Sequence, residues 1–175
     1  MITVYTGPMF AGKSSKLIEK YASIHNVHRV LAFKPSKDTR DKTKIKSREY
    51  IKTIDAIVIK KFEDILKYVS NDCKVIMIDE AQFIEGDPKV LLNLSIKEEA
   101  DIYVAGLSLT SEQEPFGKMP EILALADRII FIQSDCHFCG RPAQFTKCLE
   151  KKDEEILVGS DQYIPVCKYC MRDRF

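Results

Sequence analysis

The chain has 175 residues, 45% of them hydrophobic and 30% charged, with a formal net charge of +1. That length suits one full domain with a small appendage, and it buries roughly 70% of the unfolded surface, enough for a core without staples. The charge balance excludes a global field that recruits nucleic acid or membrane, and no apolar run approaches the ~20 residues that span a bilayer. The N-terminus also lacks the basic, apolar and small-residue order of a signal peptide, so the expected compartment is the cytosol.

In chain order, "MITVYT" reads as a β-branched strand running into a glycine loop, and "KSSKLIEKYASIH" as a helix with Leu17, Ile18, Tyr21 and Ala22 at helical spacing. "HRVLAFKP" is a second strand closed by Pro35, and "SKDTRDKTKIKSREYIKT" is polar, basic and aperiodic, a long mobile loop. "DAIVIKK" follows as a strand, "FEDILKYVS" as a helix and "KVIMID" as a buried strand. "DPKVLLNLSIKEEA" is a helix with Pro88 near its first turn, "DIYVAGL" a strand, "SLTSEQEPFGKMP" a loop, "EILALA" a short helix and "RIIFIQ" a last strand. Strands alternating with helices predict an α/β fold with a parallel sheet covered on both faces. Ligands on such sheets sit beyond the carboxyl ends of the strands, here the loops after Thr6, Pro35, Asp79 and Leu107. The composition turns cysteine-rich at Asp135, which divides the chain into a nucleotide-binding domain, 1–134, and a small second domain, 135–175.

"TGPMFAGKSS" contains Gly7, Gly12, Lys13 and Ser14 in the order G-x-x-x-x-G-K-S, between a strand and a helix. Such a loop closes backbone N–H groups around phosphates, and the helix N-terminus adds about half a positive charge. Gly7, Pro8, Met9, Phe10, Ala11, Gly12, Lys13, Ser14 and Ser15 are therefore candidate ATP contacts. Lys13 can reach the β and γ phosphates, and the Ser14 hydroxyl can bind Mg²⁺. Asp79, at the end of the buried strand "KVIMID", is placed to steady the same Mg²⁺. Glu80, one residue on, is a candidate general base, since a carboxylate with the ordinary pKa of about 4.3 is ionised at neutral pH.

The phosphoryl acceptor is open at this point. "DEAQ" resembles nucleic-acid-dependent ATPases, in which the Glu would activate water. The basic residues between Lys34 and Lys61 come with few aromatics, whereas a single-strand track wants stacking aromatics along a basic groove. That favours a small acceptor over a polymer. A zinc-containing P-loop ATPase acting on or regulated by nucleic acid is the alternative.

"CHFCG" and "CKYC" supply Cys136, Cys139, Cys167 and Cys170. Two CxxC pairs in a cytosolic chain argue for a metal before a disulfide, and four thiolates make a closed tetrahedral zinc site. The stretch between Cys139 and Cys167 exceeds the ~15–20 residues usual in such sites and can form a loop anchored at its base by the metal. His137 is expected to be exposed, and Cys73 and Cys148 to be ordinary free thiols.

The ordered set "TGPMFAGKSS", "FKPSKDTR", "DEAQF", "AGL", "PFG", CxxC, "FTK", "GSDQY" and "VCKYC" resembles the cytosolic-type (type II) thymidine kinases over nearly the whole chain. The resemblance implies a RecA-like P-loop core, a zinc domain carrying a lasso loop that closes over the base, and a homotetramer. It implies ATP as donor, the 5′-hydroxyl of a deoxynucleoside as acceptor, Glu80 as base, and neither a membrane nor a stable nucleic-acid partner. It also implies that Arg40 lies beside the transferring phosphate with Asp38 in the same loop, and that Phe83 and Phe116 pack at the base. Met9, Leu107, Thr146 and Tyr163 would surround the thymine ring, and the backbone at Val158, Gly159 and Ser160 would hold base and sugar. The chain departs from the family pattern at Arg48, where a His is expected, at Ser108, Leu109 and Ser111 in place of Asp, Gly and an aromatic, and at Val158 in place of a Gly. These changes bear on base specificity and leave the phosphate chemistry intact.

Overall fold

The structure, a computed structural model, describes residues 1–38, 43–46, 53–70, 72–149 and 162–175. In chain order it runs β1 (Ile2–Thr6), α1 (Lys13–Ile24), β2 (Arg29–Pro35), β3 (Lys44–Lys46), β4 (Thr53–Asp55), β5 (Ile57–Ile59) and β6 (Cys73–Ile78). Then come α2 (Lys89–Lys97), β7 (Asp101–Ala105), α3 (Met119–Leu125), β8 (Arg128–Phe131), β9 (Ser134–Asp135), β10 (Pro142–Ala143), β11 (Phe145–Cys148), β12 (Tyr163–Val166) and α4 (Lys168–Arg174). Six strands form one sheet in the order β5-β2-β6-β7-β1-β8, every neighbouring pair parallel. All six carboxyl ends therefore share one edge. Among the described residues no helix is long and apolar enough to cross a membrane.

Period-two alternation sends the strand side chains to two cores. On one face Ile2, Val4, Ile76, Ile78, Ile102 and Val104 pack with Leu91 and Leu94 of α2 and Met119 and Ile122 of α3. On the other, Tyr5, Val75, Met77, Tyr103 and Ala105 pack with Leu17 and Ile18 of α1. The near-continuous apolar runs of β6 and β7 are what a parallel strand covered on both faces requires.

Three local expectations need correction. The stretch read as a long loop contributes β3 and the first residue of β4, which form an antiparallel ladder pairing Ile45 with Ile54 just beyond it. Each strand is a single apolar residue between polar ones, Lys-Ile-Lys and Thr-Ile-Asp, too short a pattern to register as periodic, yet both isoleucines are buried in the α1-side core. "FEDILKYVS" forms a 3-10 helix, Phe62–Lys67, instead of an α-helix. Its two buried anchors, Phe62 and Ile65, are three apart and eclipse in a three-residue turn, and the Asp64 carboxylate accepts from Lys61 N at 3.1 Å. "RIIFIQ" is the last strand of the main sheet, but four short strands follow it in two antiparallel pairs, β9 with β10 and β11 with β12. These enclose a separate small core of Cys136, Ala143, Ile164, Val166 and Cys167.

Candidate active site and cysteine cluster

The phosphate loop owes its shape to backbone conformations that few residues accept. Gly7 (φ 140°), Phe10 (φ 65°) and Gly12 (φ 80°) all have positive φ. A side chain at Gly7 would also collide with the carbonyl of Ile132, which follows β8 and hydrogen-bonds Thr6 O through its own N–H at 2.7 Å. Gly12 caps α1 in the left-handed conformation, and the first α1 residues present N–H groups with no partner inside the helix. Lys13 is buried and donates to Pro8 O at 2.6 Å, so its ammonium lies against the loop. Ser14 Oγ donates to both carboxylate oxygens of Asp79, at 2.9 and 3.1 Å. The pairing crosses from α1 to the tip of β6, and Asp79 N–H is anchored on Phe33 O of β2 at 3.0 Å. Amides, an ammonium, a hydroxyl and a buried carboxylate at one helix N-terminus can hold a phosphate chain with a hard divalent cation.

Glu80 follows with φ 51°, left-handed and non-glycine, as the N-cap of the 3-10 helix Ala81–Phe83. Such a residue costs about 1–3 kcal/mol and persists only where its surroundings impose it. Its Oε2 accepts from Gln82 Nε2 at 2.6 Å, and Gln82 Oε1 accepts from Leu107 N at 3.0 Å. Phe83 and Phe116 meet edge to face, 5.3 Å between centroids. A cleft of about 460 Å³ opens beside them, lined in part by Lys37, Gln82, Glu85 and Lys118.

Met9 N–H donates to Thr146 Oγ1 on β11 at 2.9 Å, and Ser134 Oγ donates to Phe10 O at 3.3 Å. These bonds join the phosphate loop to the cysteine-rich segment. Thr146, Tyr163 and Leu107 are buried, while Phe10 is 39% exposed. Asp38 pairs at 3.0 Å with Lys34, a fully buried cation on β2 that also donates to Lys44 O at 3.3 Å. Arg40, Arg48, Val158, Gly159 and Ser160 lie outside the described residues. Sequence reading gave no role to Gln82 or Lys34. The signal for Lys34 was a lysine inside a buried apolar strand, and that for Gln82 a glutamine two places past a strand-tip carboxylate.

The altered segment Ser108–Ser111 sits in a tight turn: Thr110 N bonds Glu114 O at 2.8 Å and Phe116 N bonds Ser108 O at 3.0 Å. Ser111 is buried and its hydroxyl donates to Glu112 Oε1 at 3.3 Å. Glu112 in turn pairs with Lys147 of β11 at 3.4 Å.

The four CxxC sulfurs lie within 4.8 Å of one another, with Cys139 Sγ and Cys167 Sγ 3.6 Å apart. A tetrahedron with Zn–S of about 2.3 Å has sulfurs about 3.8 Å apart, so the set fits zinc. Burial resists ionisation of Cys136, but backbone N–H groups at Cys167, Phe138 and Cys139 outweigh it and bring the thiol down to about 6. Cys170 is pushed up to about 12, by burial first and then by bonds to the other thiols. Crowded thiols cannot all ionise alone, and a divalent cation relieves that competition. His137 is exposed, as expected, and Cys73 and Cys148 are buried free thiols.

Sheet and loop define a P-loop α/β nucleotide-binding protein that carries a four-thiol cluster compatible with zinc. Residues 1–171 match the family model described as thymidine kinase. The chain is 32% identical to the thymidine kinase of Pseudothermotoga lettingae, across 97% of this chain and 93% of that protein. It is 33% identical to that of Onion yellows phytoplasma and 32% to that of Aster yellows witches'-broom phytoplasma, in both cases across 98% of this chain and 88% of the relative. The chain belongs to the thymidine kinase family, whose members are transferases acting on an alcohol group.

Proposed function

We propose that the protein transfers the γ-phosphoryl group of ATP to the 5′-hydroxyl of thymidine or a 5-substituted deoxyuridine. The observation that carries this reading is the meeting at the β6 tip of the Ser14–Asp79 pair with Glu80, held in a left-handed conformation. The loop amides and Lys13 bind the triphosphate. Ser14 and Asp79 hold Mg²⁺, which when bound neutralises charge on the phosphate oxygens. Glu80 accepts the 5′-hydroxyl proton as that oxygen bonds to the γ phosphorus, the bond to the bridging oxygen breaks, and ADP leaves with its electron pair.

Met9, Leu107, Thr146 and Tyr163 surround the base, Phe83 and Phe116 pack at it, and the main chain at Val158 and Gly159 holds its edge. Asp38 and Arg40 serve the transferring phosphate from the loop after β2. Excluding water there matters, because a donor held beside Glu80 would otherwise hydrolyse. Residues 135–175 form a unit anchored by one Zn²⁺ on Cys136, Cys139, Cys167 and Cys170. The family reading further gives a cytosolic homotetramer.

The test measures ATP turnover with thymidine, without it, and with single-stranded polynucleotide. Thymidine should stimulate turnover, and Glu80→Gln should lower single-turnover phosphoryl transfer about 10²–10⁴-fold while sparing ATP binding. Stimulation by polynucleotide alone would establish the ATPase alternative instead.

A further inference from the structure

The Glu80 carboxylate does not stand alone at the strand tip. Gln82 is 3% exposed and bridges two elements, the turn after β6 and the loop after β7. Its orientation is determined by its partners. Leu107 N–H can only donate, so the amide oxygen must face it, and the amide NH₂ is left facing Glu80 Oε2. A flipped amide would set donor against donor and oxygen against carboxylate. The bond to Glu80 is charge-assisted and 2.6 Å long. Packing holds the bridge in place: a Cβ at Gly106 would press on Gln82 Oε1 and on Met119, and one at Gly117 would strike the Gln82 main-chain carbonyl.

We propose that Gln82 is a positioning residue, which clamps the Glu80 carboxylate and references it to the main chain at Leu107. The proposal rests on the reading of Glu80 as general base given above. An unpinned glutamate at a strand tip samples several rotamers, and only some place its oxygen against the acceptor hydroxyl. Pinning Oε2 to a buried, doubly bonded amide selects one. The same amide ties that geometry to the segment proposed to contact the base, so base and proton acceptor are set from one anchor.

The experiment is a double-mutant cycle on the full-length protein with thymidine and ATP. Gln82→Met, similar in size but unable to bond, should lower kcat on the order of 10²-fold, the scale expected of a misplaced catalytic group, with KM for ATP nearly unchanged and KM for thymidine raised, because Leu107 N–H loses its acceptor too. In the Glu80→Gln background the same change should add nothing to the loss of kcat, because there is no base left to position. Gln82→Glu keeps an acceptor for Leu107 N–H but presents a carboxylate to Glu80, and it too should lose kcat. Thymidine and ATP titrations by calorimetry verify that each variant still folds and binds.

Wild-type kcat in Gln82→Glu, or losses that multiply independently in the two backgrounds, would overturn the proposal and leave Gln82 a packing residue. Undiminished kcat in Glu80→Gln would overturn the general-base reading and this proposal together. Loss in Glu80→Gln with none in Gln82→Met would overturn this proposal alone.

Discussion

The phosphate loop is shaped by residues adjacent in sequence, Gly7 to Ser14 between β1 and α1, and its conformation is written in glycine φ angles and one close approach to Ile132. The cysteine-rich segment gathers its sulfurs from two distant pairs, and among the described residues its small core is five buried residues with three partly buried neighbours. The first region takes its shape mainly from its own backbone and the sheet beneath it, with Met9 N–H and Phe10 O bonded to Thr146 and Ser134 of the second. The described core of the second is small enough that a staple between its strands adds much to it. On the proposed function, local rigidity suits the part that would handle a constant triphosphate, and a segment tied by a metal would suit the part that meets a variable base.

Removing the staple should give the largest effect. Structural zinc contributes roughly 10–16 kcal/mol of apparent binding energy in small peptides, far more than the core of β9–β12 supplies. Cys167→Ser removes one proposed ligand and also the sulfur that caps α4 by accepting from Cys170 N. The expected result is loss of one zinc per chain by metal analysis and loss of hydrogen-exchange protection across 135–175, with β1–β8 still protected. Protection lost uniformly along the chain would mean that the two regions fold as one.

Lys13→Ala probes the other region and should be milder for folding but severe for rate. Deleting one preorganised charge or donor at a transferring group typically costs 10²–10³-fold. ATP affinity by calorimetry should fall as well, while the melting temperature changes little, because Lys13 is bonded to its own loop at Pro8 O. A variant with normal affinity and turnover would remove the ammonium from the phosphate site.

The same contrast explains what the sequence disclosed. The glycine loop, Asp79 and Glu80 were legible because strand, loop and helix each carry a local signature, and the CxxC pairs because ligand spacing is local too. The ladder of β11 with β12 was not, since Phe145 pairs with Val166 across a long intervening stretch and neither strand has an apolar rhythm of its own. Gln82 escaped notice because a glutamine two places past a glutamate acquires meaning only when the 3-10 turn folds it back toward Glu80 and β7 brings Leu107 alongside. Lys34 reads as a flaw in a buried strand until Asp38 turns back to neutralise it.

The smallest effect should come from cutting the seam between the regions. Met9 N–H donates to Thr146 Oγ1, joining the loop proposed to bind phosphates to the ladder that anchors the proposed base site. Thr146→Val keeps the shape and deletes the acceptor, leaving a partly buried N–H unpaired at a cost of about 1 kcal/mol, near the lower end for such groups. Thr146 itself lines the proposed base site, so the penalty falls on thymidine binding and leaves the phosphate contacts of the loop in place. KM for thymidine should rise several-fold, ATP affinity should hold, and zinc content should not change. Thr146→Ser restores a hydroxyl and should return KM toward the wild-type value, although it loses the methyl group. If serine raises KM and valine does not, the methyl packing of Thr146 matters and the bond does not couple the regions. If only valine does, the hydrogen bond itself sets where the base sits relative to the phosphates.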